Sequence, residues 1–168
     1  MLSKNYKHWI SIPDNRRCKP CKDNHGKIFH RDEVPQTDYR LHERCRCIIV
    51  WMQAIIAGNA TDKGKDGADY WLKHYNELPD YYITKEDAEK LGWISFIGNL
   101  DNVAPGKMVT MGEYKNKNGH LPVEYGRIWY EADINYTFGY RNSERVVFSN
   151  DGLIFVTYDH YKTFVEIV

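Results

Sequence analysis

One carboxylate, one imidazole, two guanidinium groups and one lysine stand out in residues 65–168 as side chains able to do chemistry together. Glu131 sits inside an otherwise aromatic run, Ile128-Trp-Tyr-Glu131-Ala-Asp133-Ile. In a strand, alternation puts Trp129, Glu131 and Asp133 on one face. Arg141 and Arg145 flank Asn142-Ser143-Glu144, His160 follows Asp159, and Lys85 follows a Thr that suits a helix start. This set matches the needs of metal-free RNA cleavage. A base takes the 2′-hydroxyl proton, an acid protonates the leaving 5′-oxygen, and cations hold the charge on the phosphorane. Each residue also has a plainer reading. Glu131 and Asp133 suit a solvated strand face paired with the arginines, His160 an ordinary loop, and Lys85 a surface charge. Spacing alone does not choose.

A second chemical cluster lies upstream. Cys18-Lys-Pro-Cys21 is followed by His42-Glu-Arg-Cys45-Arg-Cys47. A CxxC turn sets two thiolates on one side of a loop, and a second pair completes a tetrahedral Zn²⁺ site. The expected ligands are Cys18, Cys21, Cys45 and Cys47, with His42 as the alternative if the short Cys-x-Cys cannot place both sulfurs. A small unit has little core, so a structural metal staple makes physical sense. Two disulfides or plain reduced thiols remain the other readings. No carboxylate sits at ligand spacing beside the thiols, so the metal has no catalytic part.

The elements that must position these groups follow from pattern. Asp66 is a candidate cap for a helix with Ala68, Leu72 and Tyr75 inward, ending before Pro79. Thr84 caps a second helix with Glu86 and Asp87 in its first turn, and Gly92 stops it. From Arg127 onward RIWYEADI, RVVFS, LIFVTY and TFVEIV read as strands, with Asn150-Asp151-Gly152 as a hairpin turn. The expected fold class is α+β, with N-terminal helices packed on a twisted antiparallel sheet and a small Cys/His-rich unit before them. The expected division is 1–56 for that unit, 57–65 for a Gly/Asp/Lys-rich linker, and 66–168 for the second domain.

Composition sharpens the division. The 168 residues carry 23 basic and 23 acidic side chains, with a mean hydropathy of -0.65. Residues 1–64 hold 12 basic against 7 acidic groups, and residues 65–168 hold 11 against 16. Zero net charge argues against a histone-like or tail-driven nucleic-acid binder. The longest apolar stretch, Cys47 to Gly58, falls short of the roughly 20 residues a membrane span needs. No secretory signal opens the chain. The expectation is a soluble protein, without a membrane partner, secreted or delivered into a target cell by a route that uses no signal peptide.

From Asp66 to Val168 the chain resembles the barnase family of guanyl-preferring ribonucleases. The matching runs are LPDYYITKEDAEKLGW (Leu78–Trp93), GNLDNVAPGK (Gly98–Lys107), EADINYTFGYRNSERV (Glu131–Val146) and DHYKTF (Asp159–Phe164). The resemblance implies Glu131 as general base and His160 as general acid. It implies Lys85, Arg141 and Arg145 as phosphate-facing cations, Tyr161 lining the site, and Asp133 orienting the arginines. It also implies transphosphorylation to a 2′,3′-cyclic phosphate and then hydrolysis, with no cofactor for catalysis, and a tight acidic inhibitor of the barstar type.

The chain departs from the family at the base-recognition loop. The family's Ser-Asn-Arg-Glu-Gly run is replaced by Lys115-Asn116-Lys117-Asn118-Gly119. Asn116, Lys117 and Asn118 are the expected substrate-binding residues. An amide for a carboxylate and a point charge for a guanidinium fork relax the grip on guanine. Glu113 stands for a family aspartate with a one-residue shift.

Residues 7–52 resemble the C-terminal Cys/His segment of phage head-morphogenesis proteins, through Trp9, Asp14-Asn-Arg16-Arg-Cys18-Lys-Pro-Cys21 and His42-Glu-Arg-Cys45-Arg-Cys47. That resemblance implies a phage-capsid or delivery partner and a toxin role for the second domain. A different class of function fits too: a zinc-stapled assembly protein whose nuclease-like domain is an inactive binding scaffold.

Overall fold

A computed structural model describes residues 1–33 and 44–168, which divide into two compact units. His42 lies outside the described residues. The first unit comprises residues 1–54 and 116–125, and the second residues 55–115 and 126–168.

In the first unit β1 (Leu2–Ile10) lies between β2 (Ile28–His30) and β3 (Ile48–Ile55), antiparallel to both. A six-residue helix, α1 (Lys19–Asn24), carries Pro20 in its first turn, where the missing N–H costs nothing. Its buried residue is Cys21. Trp9 and Cys47 are buried with it, and Phe29, Ile49, Cys18 and Cys45 pack around them.

The second unit is built on the strand order β9-β8-β7-β6-β5-β4. These are β4 (Tyr82–Thr84), β5 (Met108–Tyr114), β6 (Trp129–Asp133), β7 (Arg145–Ser149), β8 (Ile154–Thr157) and β9 (Val165–Ile167). The strand runs expected after Arg127 are the four antiparallel strands β6 to β9. The first strand departs from the antiparallel expectation: β4 pairs with β5 in parallel. Gly152, at φ 92, supplies the left-handed residue of the expected Asn-Asp-Gly turn.

One face of this sheet is apolar. Ala132, Val146, Ile154, Val156 and Ile167 bury against Ala68 and Leu72 of α2 (Ala68–Tyr75). Two expectations for this helix fail. Gly67 rather than Asp66 is its N-cap, without a side-chain bond, and Tyr75 is 57 % exposed. The helix stops at Tyr75 because Asn76 turns left-handed, and the Tyr75 ring meets Tyr70, Trp71 and His74 of its own helix. Asp69 is buried instead. Its carboxylate accepts from the N–H groups of Gly58 and Ala60 and from the Thr61 hydroxyl, at 2.7, 3.0 and 2.9 Å. Residues 57–65, expected as a linker, are thereby hydrogen-bonded into the second unit, and Ala57 donates to the Val168 carbonyl.

Helices α3 (Lys85–Lys90) and α4 (Leu100–Val103) enclose a second core of Ala88, Trp93, Leu100, Val109 and Tyr136. The Thr84 cap forms as expected, its hydroxyl accepting from Asp87 N–H at 3.1 Å, and Gly92 follows the helix at φ 97.

Candidate active site

The sheet face opposite the α2 core carries the charged groups. Antiparallel partners share a face, so the pairs Glu131↔Val147 and Asp133↔Arg145 put both carboxylates and Arg145 on it. Val147 and Phe155, both fully buried, form its floor. The apolar floor has a consequence: charges placed over it have little water to screen them.

Asp133 organises the cations. Arg141 Nε and Nη2 donate to its two oxygens at 2.7 and 2.6 Å, the parallel fork that guanidinium and carboxylate favour. Arg145 Nε lies 3.0 Å from the same carboxylate, and the side chains of Arg145 and Asp133 are 4 % and 1 % exposed. Burial pulls the Arg141 pKa down, yet the bonds and charge of Asp133 outweigh it and hold the guanidinium above its ordinary value. Arg145 Nη1 donates to the Asn142 side chain and the Glu144 carbonyl, at 3.1 and 2.7 Å. Its direction is thus fixed from two sides.

The Tyr161 hydroxyl donates to Glu131 Oε2. Burial and that carboxylate push the phenol above its ordinary range, while Arg145 and Arg141 act in the opposite direction. Those influences place Glu131, Tyr161 and both arginines in one electrostatic neighbourhood. Tyr161 also stacks on Tyr114, with centroids 5.0 Å apart and planes at 17°.

His160 stands at the rim, exposed, its ring 4.9 Å from that of Tyr161. Consecutive left-handed residues, His160 at φ 58 and Tyr161 at φ 65, make the turn that presents both side chains. Non-glycine residues adopt this region only when neighbours enforce it. Here the His160 N–H donates to the Ser143 carbonyl at 3.1 Å and the Tyr161 N–H to Thr157 Oγ1 at 2.9 Å. Asp159 accepts from the N–H groups of Lys162 and Thr163 and from both threonine hydroxyls. Burial raises the Asp159 pKa, but the bonds from Thr163 and Thr157 more than offset this and leave it lowered.

Lys85 follows Thr84, which pairs with Thr110 of β5, itself paired with Ala132 of β6. Its ammonium sits 3.8 Å from Glu89 on α3, a half-exposed and weak pair that leaves it available to an anion. A bulge between Thr110 and Gly112, with Gly112 at φ 75, precedes Glu113, whose carboxylate pairs with Lys115 at 2.8 Å.

Asn116, Lys117 and Asn118 belong to the first compact unit. Asn116, at φ 43, bonds Leu121 in both directions, at 2.9 and 3.1 Å. Asn118 accepts from His120 N–H through Oδ1 and approaches the His120 ring at 3.1 Å through Nδ2. Both amides are therefore engaged within the loop. Lys117 is exposed.

Four positioning residues escape a reading of the sequence: Asn142, Thr157, Asp159 and Tyr114. Asp159 and Thr163 did carry a signal, since an Asp followed by Thr four residues on is a local side-chain-to-backbone pattern.

The cysteines form no disulfide. Cys21 Sγ and Cys45 Sγ are 3.7 Å apart, and the sulfurs of Cys21, Cys45 and Cys47 lie within 4.8 Å of one another. Cys18 packs beside them. Such a thiol set fits a soft divalent ion such as Zn²⁺.

The sheet face of the second unit thus holds a carboxylate and carboxylate-braced guanidinium groups over an apolar floor, with an imidazole in the turn after β8. Residues 65–168 match the ribonuclease family profile, and the chain belongs to that family, the barnase family of microbial endoribonucleases, which act on RNA. The chain is 51 % identical over 102 residues to a ribonuclease of Heyndrickxia coagulans, covering 61 % of this chain and 94 % of the relative. It is equally similar to ribonucleases of Bacillus intermedius and Bacillus pumilus, and spans 63 % of the length of each. Among the described residues no helix is long and apolar enough to cross a membrane.

Proposed function

We propose that residues 66–168 cut single-stranded RNA by transphosphorylation at the face carrying Glu131. Glu131 removes the 2′-hydroxyl proton, the O2′–P bond forms and the P–O5′ bond breaks. His160 delivers a proton to the departing 5′-oxygen. In the second step the roles reverse: His160 activates water and Glu131 returns a proton to O2′ as the cyclic phosphate opens. Arg141, Arg145 and Lys85 stabilise the phosphorane, so the reaction calls on no metal ion. Tyr161 holds Glu131 in place. The observation that carries this reading is the bracing of Arg141 and Arg145 by one buried carboxylate beside the Glu131–Tyr161 pair.

Base preference falls to guanine, gripped by the loop containing Asn116, Lys117 and Asn118. The grip is relaxed, because the Asn118 amide is spent on His120. In this reading the enzyme is a toxin domain, secreted or delivered into a target cell. Its partners are a barstar-like immunity protein that plugs the cationic cleft and a phage-type delivery component that takes up the Cys-rich unit. A zinc ion in that unit is structural.

RNA incubated with the full chain in EDTA is the test. Cleavage leaving 2′,3′-cyclic ends is expected, and without the chelator guanine should be enriched on the 5′ side of the cuts. Glu131→Ala and His160→Ala each lower the rate by about 10²–10⁴-fold. A wild-type rate equal to that of these variants would falsify the assignment.

A further inference from the structure

The segment 116–125, between β5 and β6, interrupts the ribonuclease match in sequence yet belongs to the first unit. We propose that Cys18, Cys21, Cys45 and Cys47 bind one Zn²⁺ as a tetrathiolate and that this ion fixes the 116–125 loop, making base selectivity, and not cleavage itself, dependent on zinc. The second half of the proposal rests on the reading of that loop as the base-recognition segment.

The sulfur geometry is that of a metal site. A tetrahedral ion with Zn–S bonds of about 2.3 Å separates its ligands by about 3.8 Å. Cys21 and Cys45 stand at 3.7 Å, against about 2.0 Å for a disulfide. The surroundings suit the charge as well. Four thiolates around a dication carry a net charge of minus two, and the hollow beside Cys21 and Cys47 is lined by Arg16, Arg17, Arg44 and Arg46. Of these Arg46 is braced by Asp14, through bonds of 2.8 and 2.7 Å.

Trp9 links the sulfurs to the loop. It is 1 % exposed and packs against Cys21 and Cys47. Its buried indole N–H has no hydrogen-bond partner among the described residues and lies in the same cluster as the sulfurs. N–H groups of this kind support metal-bound thiolates from outside the ligand sphere. The Trp9 backbone exchanges bonds with the next turn, donating to Lys27 O and accepting from Gly26 N, both at 2.9 Å. The Ile28 N–H then donates to the His120 carbonyl at 2.8 Å. Gly26, at φ 84, lies so close to the His120 ring that a Cβ there would come within 2.9 Å of Nε2. His120 in turn holds both polar groups of Asn118. A continuous run of packed and bonded residues therefore joins the sulfurs to the loop.

The test uses the full chain purified under reducing conditions, with three readouts. Elemental analysis is expected to give one zinc per chain, and Co²⁺ in its place to give thiolate-to-cobalt charge-transfer absorption. Less than about half an equivalent of zinc, or four oxidised cysteines, overturns the site. Hydrogen exchange of residues 116–125 is expected to speed up on chelation and to recover when Zn²⁺ is added back; unchanged exchange overturns the link to the loop. With substrates differing in one base, chelation is expected to narrow the kcat/KM ratio while cleavage persists.

Cys47→Ser can fail by unfolding the unit, so Trp9→Phe serves as the milder variant. It should keep the fold and lose about tenfold in zinc affinity. Unaltered affinity in Trp9→Phe removes the indole from the account. Absence of RNA cleavage in the zinc-loaded wild type would count against the ribonuclease reading alone, because zinc content and exchange are measured without it.

Discussion

The two units hold their reactive groups in place by opposite means. In the second unit the charged side chains stand on one face of a sheet whose other face buries Leu72, Val146 and Val156. Backbone register does the positioning there, and the core supplies the free energy that holds arginines against a buried carboxylate. In the first unit the core cluster around the sulfurs amounts to Trp9, Cys21 and Cys47, with a few half-buried neighbours. Thiols are part of that cluster, while Tyr6, Ile28, Met52, Ala54 and Leu121 are buried elsewhere in the unit. The contrast is between charges braced by a buried carboxylate on a sheet and thiols gathered around a buried tryptophan.

The largest break in that comparison comes from Asp133→Ala. It leaves Arg145 buried without its counter-charge and should destabilise the second unit by about 3–5 kcal/mol. Regional hydrogen exchange should locate the loss in β6 to β8, and protection of β1 should stay unchanged. An equal loss of protection in β1 would contradict the assignment of this role of Asp133 to the second unit.

A smaller effect probes α3. Thr84→Ala removes the cap that bonds the Asp87 N–H and should cost about 1 kcal/mol, read as a lower urea midpoint at constant m-value. Lys85 occupies the first helical position, so the same variant should raise KM for RNA modestly.

The smallest effect is in the pH dependence. Asp159 and Asp151 have folded pKa values below their unfolded ones, Asp159 through Thr163 and Thr157, Asp151 through Arg127. Their contribution is complete above an unfolded value of about 4 and drains away as pH falls through the folded values. Thermal midpoints should therefore be insensitive to these two groups at neutral pH and fall below about pH 4. Asp159→Asn should flatten that acid limb. An acid limb unchanged in this variant would remove Asp159 from the account.

Much of the second unit was legible in the chain because its signals are local. Thr84, the Asn150-Asp151-Gly152 turn and the alternation around Glu131 each declare an element within a few residues. What stayed hidden depends on groups far apart in sequence. Helical spacing put Tyr75 inward, but the left-handed Asn76 ends the helix there and leaves the ring in solvent. Composition made residues 57–65 a linker, since nothing in Gly, Asn and Thr reveals that Asp69 will collect their N–H groups. A pairing of this strand face with the arginines was legible in the residues, but that Asp133 orients them came only with the resemblance to known ribonucleases. The chain leaves β6 at Asp133 and returns through an irregular loop, so spacing says nothing about where the guanidinium groups meet it. The engagement of Asn118 with His120, and of that loop with the first unit, had no signal in sequence at all.

The separation of phosphodiester chemistry from the thiol cluster is the central claim, and one titration tests it. RNA cleavage is followed on the full chain as zinc is removed by a chelator and then restored. Total cleavage with cyclic phosphate ends should persist throughout, with only the choice of base drifting. Loss of all cleavage on chelation, regained with Zn²⁺, would show that the metal belongs to the chemistry and would contradict the account.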